Sequence, residues 1–212
     1  MTTVIVDYES GNLHSAEKAF QRMAGEAGVG KVVVTSDPDV IRRADRVVLP
    51  GDGAFPACRQ ALFDHRGVFE AIEEVVVTGG KPFMGICIGM QMMASLGMEY
   101  AETPGFDWIG GRIVPISPGD AALKVPHMGW NDLTIDQPHP VFDGIETGQH
   151  AYFVHSYHFD VADAAHLLAH VDYGTPITAV VGRENLIGTQ FHPEKSQDTG
   201  LRMIANFLNW AP

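Results

Sequence analysis

The chain is short of cysteine, of basic residues and of long apolar runs. Two cysteines, Cys58 and Cys87, stand among 212 residues. That is too few for a disulfide framework, so a cytoplasmic protein with reduced thiols is expected. Lysine and arginine number 14 against 26 acidic residues, a formal net charge of -12. Such a surface repels the phosphate backbone of nucleic acid, and no Lys/Arg run makes a local exception. No uninterrupted apolar stretch reaches the roughly 18 residues of a membrane span. The opening Met-Thr-Thr-Val-Ile-Val-Asp lacks the basic flank and apolar core of a signal peptide. The glycine-rich loops have neither a Lys-Ser/Thr phosphate cradle nor a G-x-G-x-x-G run, which argues against a nucleotide site. Histidine is plentiful, with ten residues. Yet His127, His155, His158, His166 and His170 form no Cys/His/Asp cluster at metal-ligand spacing. Neither a metal nor a cofactor is expected. No repeat, low-complexity stretch or linker divides the chain, so one domain over residues 1–212 is expected.

What is present is an alternation of strand and helix patterns. Thr3 to Tyr8, Lys31 to Thr35, Arg46 to Pro50 and Pro82 to Ile86 read as buried strands. A break at Gly11-Asn12 separates the first strand from a helical pattern over Leu13 to Ala24, with Gly25 and Gly28 as stop signals. Asp37 and Pro38 suit a helix cap and first position. Helical patterns also cover Pro56 to Phe63, Val68 to Val77 and Met90 to Leu96. The alternation predicts an α/β fold with a largely parallel sheet flanked by helices. After Leu96 the rhythm changes. Gly110 to Pro115, Trp130 to Ile135, Tyr152 to Tyr157, Leu167 to Val171, Ile177 to Val181 and Leu186 to Gln190 read as added antiparallel or mixed strands. Gly200 to Trp210 is an amphipathic closing helix. In such sheets function gathers at the carboxyl ends of the parallel strands, where Gly51-Asp52-Gly53 and Cys87 both fall.

Cys87 sits where a strand turns into a helix, with Gly85 and Gly89 on either side. A sharp turn needs small flanks, and it lifts the central residue to a helix start, where free N–H groups favour a thiolate. This is a nucleophile elbow with cysteine in place of serine. The plain alternative is a buried structural cysteine. A cysteine nucleophile needs a base. His192, in Phe191-His192-Pro193-Glu194, follows a strand pattern, and Glu194 is close enough in sequence to hold its tautomer. The alternative there is a solvated surface loop. The N–H of Ile88 and the Gly51–Gly53 turn are candidate donors to an oxyanion.

Taken together, Gly85-x-Cys87-x-Gly89-x-Gln91 and the later His192-Pro193-Glu194 resemble the class I (triad) glutamine amidotransferases. Asp7 to Asn12, Pro50 to Phe55, Pro126 to Asn131, Tyr152 to Tyr157 and Phe191 to Ser196 are similar to the branch of that family that serves imidazole glycerol phosphate synthase. The likeness runs from Val4 to the C-terminus. It implies that Cys87 attacks glutamine, His192 moves the protons and Glu194 orients His192. Gln91 and Glu99 match positions that bind the glutamine head group, and Ser156 and Tyr157 match positions that line the same pocket through their backbone. It also implies a heterodimer with a (β/α)8-barrel cyclase subunit that receives the ammonia in histidine biosynthesis. Asn12, Met128, Trp130 and Lys195 match positions at or near that partner face. One departure is Asp52, where the family often has Val. An anion aimed at a developing oxyanion is unfavourable, so the Asp52 side chain is expected to point out of the pocket. Three other readings stand beside it: a stand-alone cysteine acyl hydrolase or peptidase; a non-catalytic binding module, against which the complete Cys87, His192 and Glu194 set argues; and the glutaminase subunit of another amidotransferase.

Overall fold

A computed structural model of the chain describes residues 1–9, 12–120 and 122–212. The strand break expected at Gly11 lies outside the described residues. The strands are β1 (Thr2–Val6), β2 (Lys31–Thr35), β3 (Arg46–Gly51), β4 (Phe83–Cys87), β5 (Leu96–Gly97), β6 (Thr103–Pro104) and β7 (Gly111–Pro115), followed by β8 (His127–Asp132), β9 (Thr134–Ile135), β10 (His150–His155), β11 (Tyr157–Val161), β12 (Leu167–Asp172), β13 (Pro176–Arg183) and β14 (Leu186–Thr189). The α-helices are α1 (Leu13–Ala27), α2 (Pro38–Arg42), α3 (Phe55–Asp64), α4 (Val68–Glu73), α5 (Ile88–Gln91) and α6 (Gln197–Asn209).

Among the described residues, eight strands make one sheet in the order β2-β1-β3-β4-β14-β13-β12-β9. From β2 to β14 the pairs are parallel; from β14 outward they are antiparallel. The first half therefore follows the βα alternation read from sequence, and the second half adds the antiparallel strands. The central strands β3 and β4 are buried along their whole length, as expected for a parallel sheet covered on both faces. Helix α1 packs against α6, and α2 against α4. Two smaller sheets, β10-β8 and β11-β7-β5-β6, complete the second half.

Local signals placed several boundaries well. The Asp37 side chain accepts from the Asp39 N–H, and Pro38 takes the first position of α2. Helix α1 runs through Gly25 and ends instead at Gly28, whose φ of 66° is left-handed and whose N–H reaches the Ala24 carbonyl. Other boundaries differ. The helix expected over Met90 to Leu96 is only Ile88–Gln91. Beyond it Met93 bonds to Met90 and Ala94 to Gln91, the tighter i→i+3 pattern of a terminating helix. The Ser95 N–H then turns to Gly111, and Leu96 pairs with Arg112 as strand. The continuous strand expected over Tyr152 to Tyr157 is two strands that change sheet at Ser156: β10 pairs with β8 and β11 with β7.

Candidate active site

Three strand ends meet at the site. Gly51 at the end of β3 pairs with Cys87 at the end of β4, and β14 runs parallel to β4 with Thr189 opposite Ile86. The segment after β14 therefore carries Gln190 and His192 to the elbow. Sequence distance is bridged by sheet register, which explains how groups 105 positions apart share one hollow.

At the elbow, Cys87 has φ 54° and ψ -110°. A non-glycine residue in that region is strained and is held there by its surroundings. The surroundings are tight. A Cβ on Gly89 would lie 1.8 Å from the Leu49 carbonyl oxygen, and one on Gly85 would lie 2.5 Å from the Gly89 oxygen. Both glycines that flank the cysteine are thus required by close backbone approach, as the sequence spacing suggested. Cys87 is 4% exposed, yet it lines a cavity of about 220 Å³ together with Asp52, Gly53, Ile88, Gln91, Glu99, Ser156 and Tyr157. It is buried beside a hollow, not sealed in hydrocarbon.

His192 is 3% exposed. Its Nδ1 lies 2.9 Å from Glu194 Oε1, which fixes Nδ1 as the protonated nitrogen and turns Nε2 the other way. Nε2 makes no hydrogen bond within the described residues. Burial pulls the imidazole pKa down, but the neighbouring Cys87 and Glu194 outweigh it and push it up to about 10. The register of β14 against β4 and the Gln190 contact with Cys87 Sγ at 3.7 Å carry the segment that holds His192 to the elbow. The expected His192–Glu194 contact is present as a buried ion pair, and the alternative of a solvated loop is not met; the Ser196 hydroxyl donates to the His192 carbonyl at 2.7 Å.

The other predicted residues also gather here. Gln91 is 1% exposed, not a solvated helix-face residue, and its Nε2 donates to the Tyr157 carbonyl at 3.1 Å and to Gln190 Oε1 at 3.0 Å. Glu99 Oε2 accepts from the Phe55 N–H at 2.7 Å and so caps α3. The Ser156 carbonyl is engaged by the Ile116 N–H at 2.9 Å. Gly51 has no space for a side chain: a Cβ would meet Tyr8 Oη and Ile88 Cβ, each at 2.8 Å. Gly53 has φ 113°. Asp52 is exposed at the cavity rim, and its carbonyl accepts from Cys58 Sγ at 3.2 Å.

The four residues matched to a partner face are dispersed in role. Met128 and Trp130 alternate along β8 and stand 62% and 48% exposed, so Trp130 is a surface aromatic, not a core anchor. Asn12 caps α1 by accepting from the Ser15 N–H at 3.4 Å. Lys195 is half-buried in the short turn after His192.

Sequence reasoning missed three residues beside the site. Gln190 donates to Cys87 Sγ at 3.7 Å. His155 Nδ1 donates to the Tyr157 carbonyl at 2.9 Å, and His127 Nδ1 lies 3.0 Å from His155 Nε2. No local motif marks them, because each partner is remote in sequence or reached through a backbone carbonyl.

The model of the family described as glutamine amidotransferase class-I matches residues 4–210. The imidazole glycerol phosphate synthase subunit HisH of Cereibacter sphaeroides is 69% identical over the whole of both chains, and that of Ruegeria pomeroyi is 66% identical over the whole of both. A solved structure described as a glutamine amidotransferase aligns over 98% of this chain and 99% of its own with a TM-score of 0.73 at 17% identity, a likeness of fold. The chain belongs to the class-I glutamine amidotransferases and, within them, to the family of HisH subunits.

Proposed function

We propose that the chain, acting as one domain over residues 1–212, is the glutaminase subunit of an imidazole glycerol phosphate synthase. The observation that carries the reading is the buried Cys87 and His192 pair beside a small cavity, with Glu194 behind the imidazole. Cys87 Sγ attacks the side-chain carbonyl carbon of glutamine, and the C–N bond breaks. His192 gives its Nε2 proton to the departing ammonia, which leaves a glutamyl thioester. Acylation removes the sulfur charge that held the proton on His192, so its pKa falls back and the neutral imidazole can take a proton from water. The hydroxide adds to the thioester carbonyl carbon, the C–S bond breaks, glutamate leaves, and the charged sulfur is restored beside the protonated His192. Glu194 fixes the tautomer throughout.

The Ile88 N–H is the first of a helix and has no partner within that helix. In this reading it receives the oxyanion together with the peptide N–H groups of the Gly51–Gly53 turn. Gln91 and Glu99, with the backbone at Ser156 and Tyr157, bind the glutamine head group. The cavity of about 220 Å³ is below the roughly 300–1,000 Å³ of sites for drug-sized ligands. It suits a single amino acid and disfavours the peptidase reading.

Ammonia then passes to a (β/α)8-barrel cyclase subunit. There it supports formation of imidazole glycerol phosphate and an aminoimidazole carboxamide ribonucleotide in histidine biosynthesis, a cytoplasmic pathway. Met128 and Trp130 supply the exposed apolar and aromatic area that interface cores favour; Asn12 and Lys195 are assigned to the partner face by the family resemblance. The test is a glutaminase assay of the chain alone and with the barrel subunit and its ligand, with Cys87→Ala as control. A partner that completes the oxyanion site raises kcat more than it lowers KM. Full activity of the isolated chain contradicts that dependence, and unchanged activity in Cys87→Ala contradicts the chemistry.

A further inference from the structure

The Tyr157 carbonyl settles the polarity of the side chains around the cavity. A carbonyl only accepts, so the Gln91 atom 3.1 Å from it is the nitrogen. That nitrogen also lies 3.0 Å from Gln190, so the Gln190 atom facing it is Oε1. The Gln190 nitrogen is then turned to Cys87, 3.7 Å from Sγ. Gln190 itself is 0% exposed, and its backbone N–H is tied to the Ala179 carbonyl at 2.8 Å. One amide thus holds the reacting sulfur with its donor and the cavity wall with its acceptor. Gln91 Oε1 is left buried without a partner among the described residues, as an acceptor for an N–H group of the ligand.

We propose that Gln190 is a positioning residue of the glutaminase: its amide N–H steadies the Cys87 sulfur as an anion, and its Oε1 locks the Gln91 amide with the acceptor left for substrate. The inference rests on the glutaminase reading for its kinetic consequence but not for its effect on the sulfur. A donor to an anion favours the anion. A rotated Gln91 amide would present N–H groups where the ligand brings its own, leaving donors unpaired.

Two variants separate the two roles. Gln190→Glu keeps an acceptor for Gln91 and replaces the donor at sulfur by an anion. Gln190→Met removes donor and acceptor at similar length. Each is assayed in complex with the cyclase subunit, with near-UV circular dichroism and the unfolding midpoint as checks of fold. Cys87 reactivity is read as the pH profile of alkylation by iodoacetamide, with Cys87→Ala correcting for Cys58. Gln190→Glu is expected to move the alkylation profile about one unit to higher pH and to lower kcat with KM little changed. Gln190→Met is expected to move the profile the same way and to raise KM about tenfold. Folded variants whose alkylation profiles and KM match the unaltered chain overturn the proposal. A complex of the unaltered chain that hydrolyses no glutamine overturns the glutaminase reading instead, and the alkylation profiles still decide the role of Gln190.

Discussion

His155 donates from Nδ1 to the Tyr157 carbonyl at 2.9 Å, and this one bond sets the tautomer of a buried histidine pair. With Nδ1 protonated, His155 Nε2 is an acceptor, so His127 must donate from Nδ1 across 3.0 Å. His127 Nε2 is then the acceptor for Asn131 Nδ2 at 3.2 Å, and the same Nδ2 independently donates to the Asp172 carbonyl at 2.9 Å. Both ends of the chain of bonds demand the same polarity. Replacing His155 by Phe leaves the His127 N–H and one lone pair of Tyr157 unsatisfied. The expected cost is about 1–3 kcal/mol of stability, with a raised KM because the Tyr157 wall of the cavity loses a tether. Urea unfolding and steady-state kinetics measure the two effects.

Stability should depend on pH from both sides. Burial pushes His155 down to about 3 and His127 down to about 4 from the ordinary 6.5. Between pH 6.5 and these values the unfolded chain binds more protons than the folded one, so stability falls as pH falls, at up to about 1.4 kcal/mol per pH unit for each group. His192 acts in the opposite sense. Burial lowers its pKa, but Cys87 and Glu194 raise it to about 10 overall, so its contribution is intact below 6.5 and is lost as pH rises toward 10. Urea midpoints are expected to peak near neutrality. In His192→Gln the alkaline loss should shrink while the acid loss remains.

Gly51→Ala tests the oxyanion role proposed for the Gly51–Gly53 turn. The new Cβ would meet Ile88 Cβ and Tyr8 Oη at 2.8 Å and the Gly89 nitrogen at 2.9 Å, so the turn and the elbow must move apart. Loss of a backbone oxyanion donor costs about 10²–10³ in kcat, and a loss of that size is expected in the glutaminase assay with the partner present. Asp52→Asn should change kcat by less than about threefold, because the exposed carboxylate at the cavity rim is screened by solvent.

Trp130→Ala should weaken binding to the proposed partner subunit while leaving the unfolding free energy within about 0.5 kcal/mol of the unaltered chain. The indole is 48% exposed and meets Tyr152 edge-on at 5.7 Å, so the fold itself leans on it little. Isothermal titration of the two subunits reads the affinity directly.

The parallel half of the fold and the turns that carry Cys87 and His192 were legible because short-range physics writes them into adjacent residues. Gly85, Cys87 and Gly89 announce a tight turn, and Pro193 and Glu194 beside His192 announce an oriented imidazole. The second half was less legible. The helix expected to Leu96 stops at Gln91 because strand pairing with Arg112 and a bond to Gly111 outcompete helix propensity. The strand expected through Ser156 divides because its two halves find different partners. Gln190 gave no signal, since its meaning depends on Gln91 and Cys87, which register alone brings near.

Acid-quench mass spectrometry tests the central claim most directly. The complex is stopped during glutamine turnover, and the peptide that spans Cys87 is weighed. A glutamyl adduct on Cys87 that vanishes as substrate is exhausted is the predicted result. Sustained hydrolysis with an unmodified Cys87, or an adduct on Cys58 in its place, would contradict it.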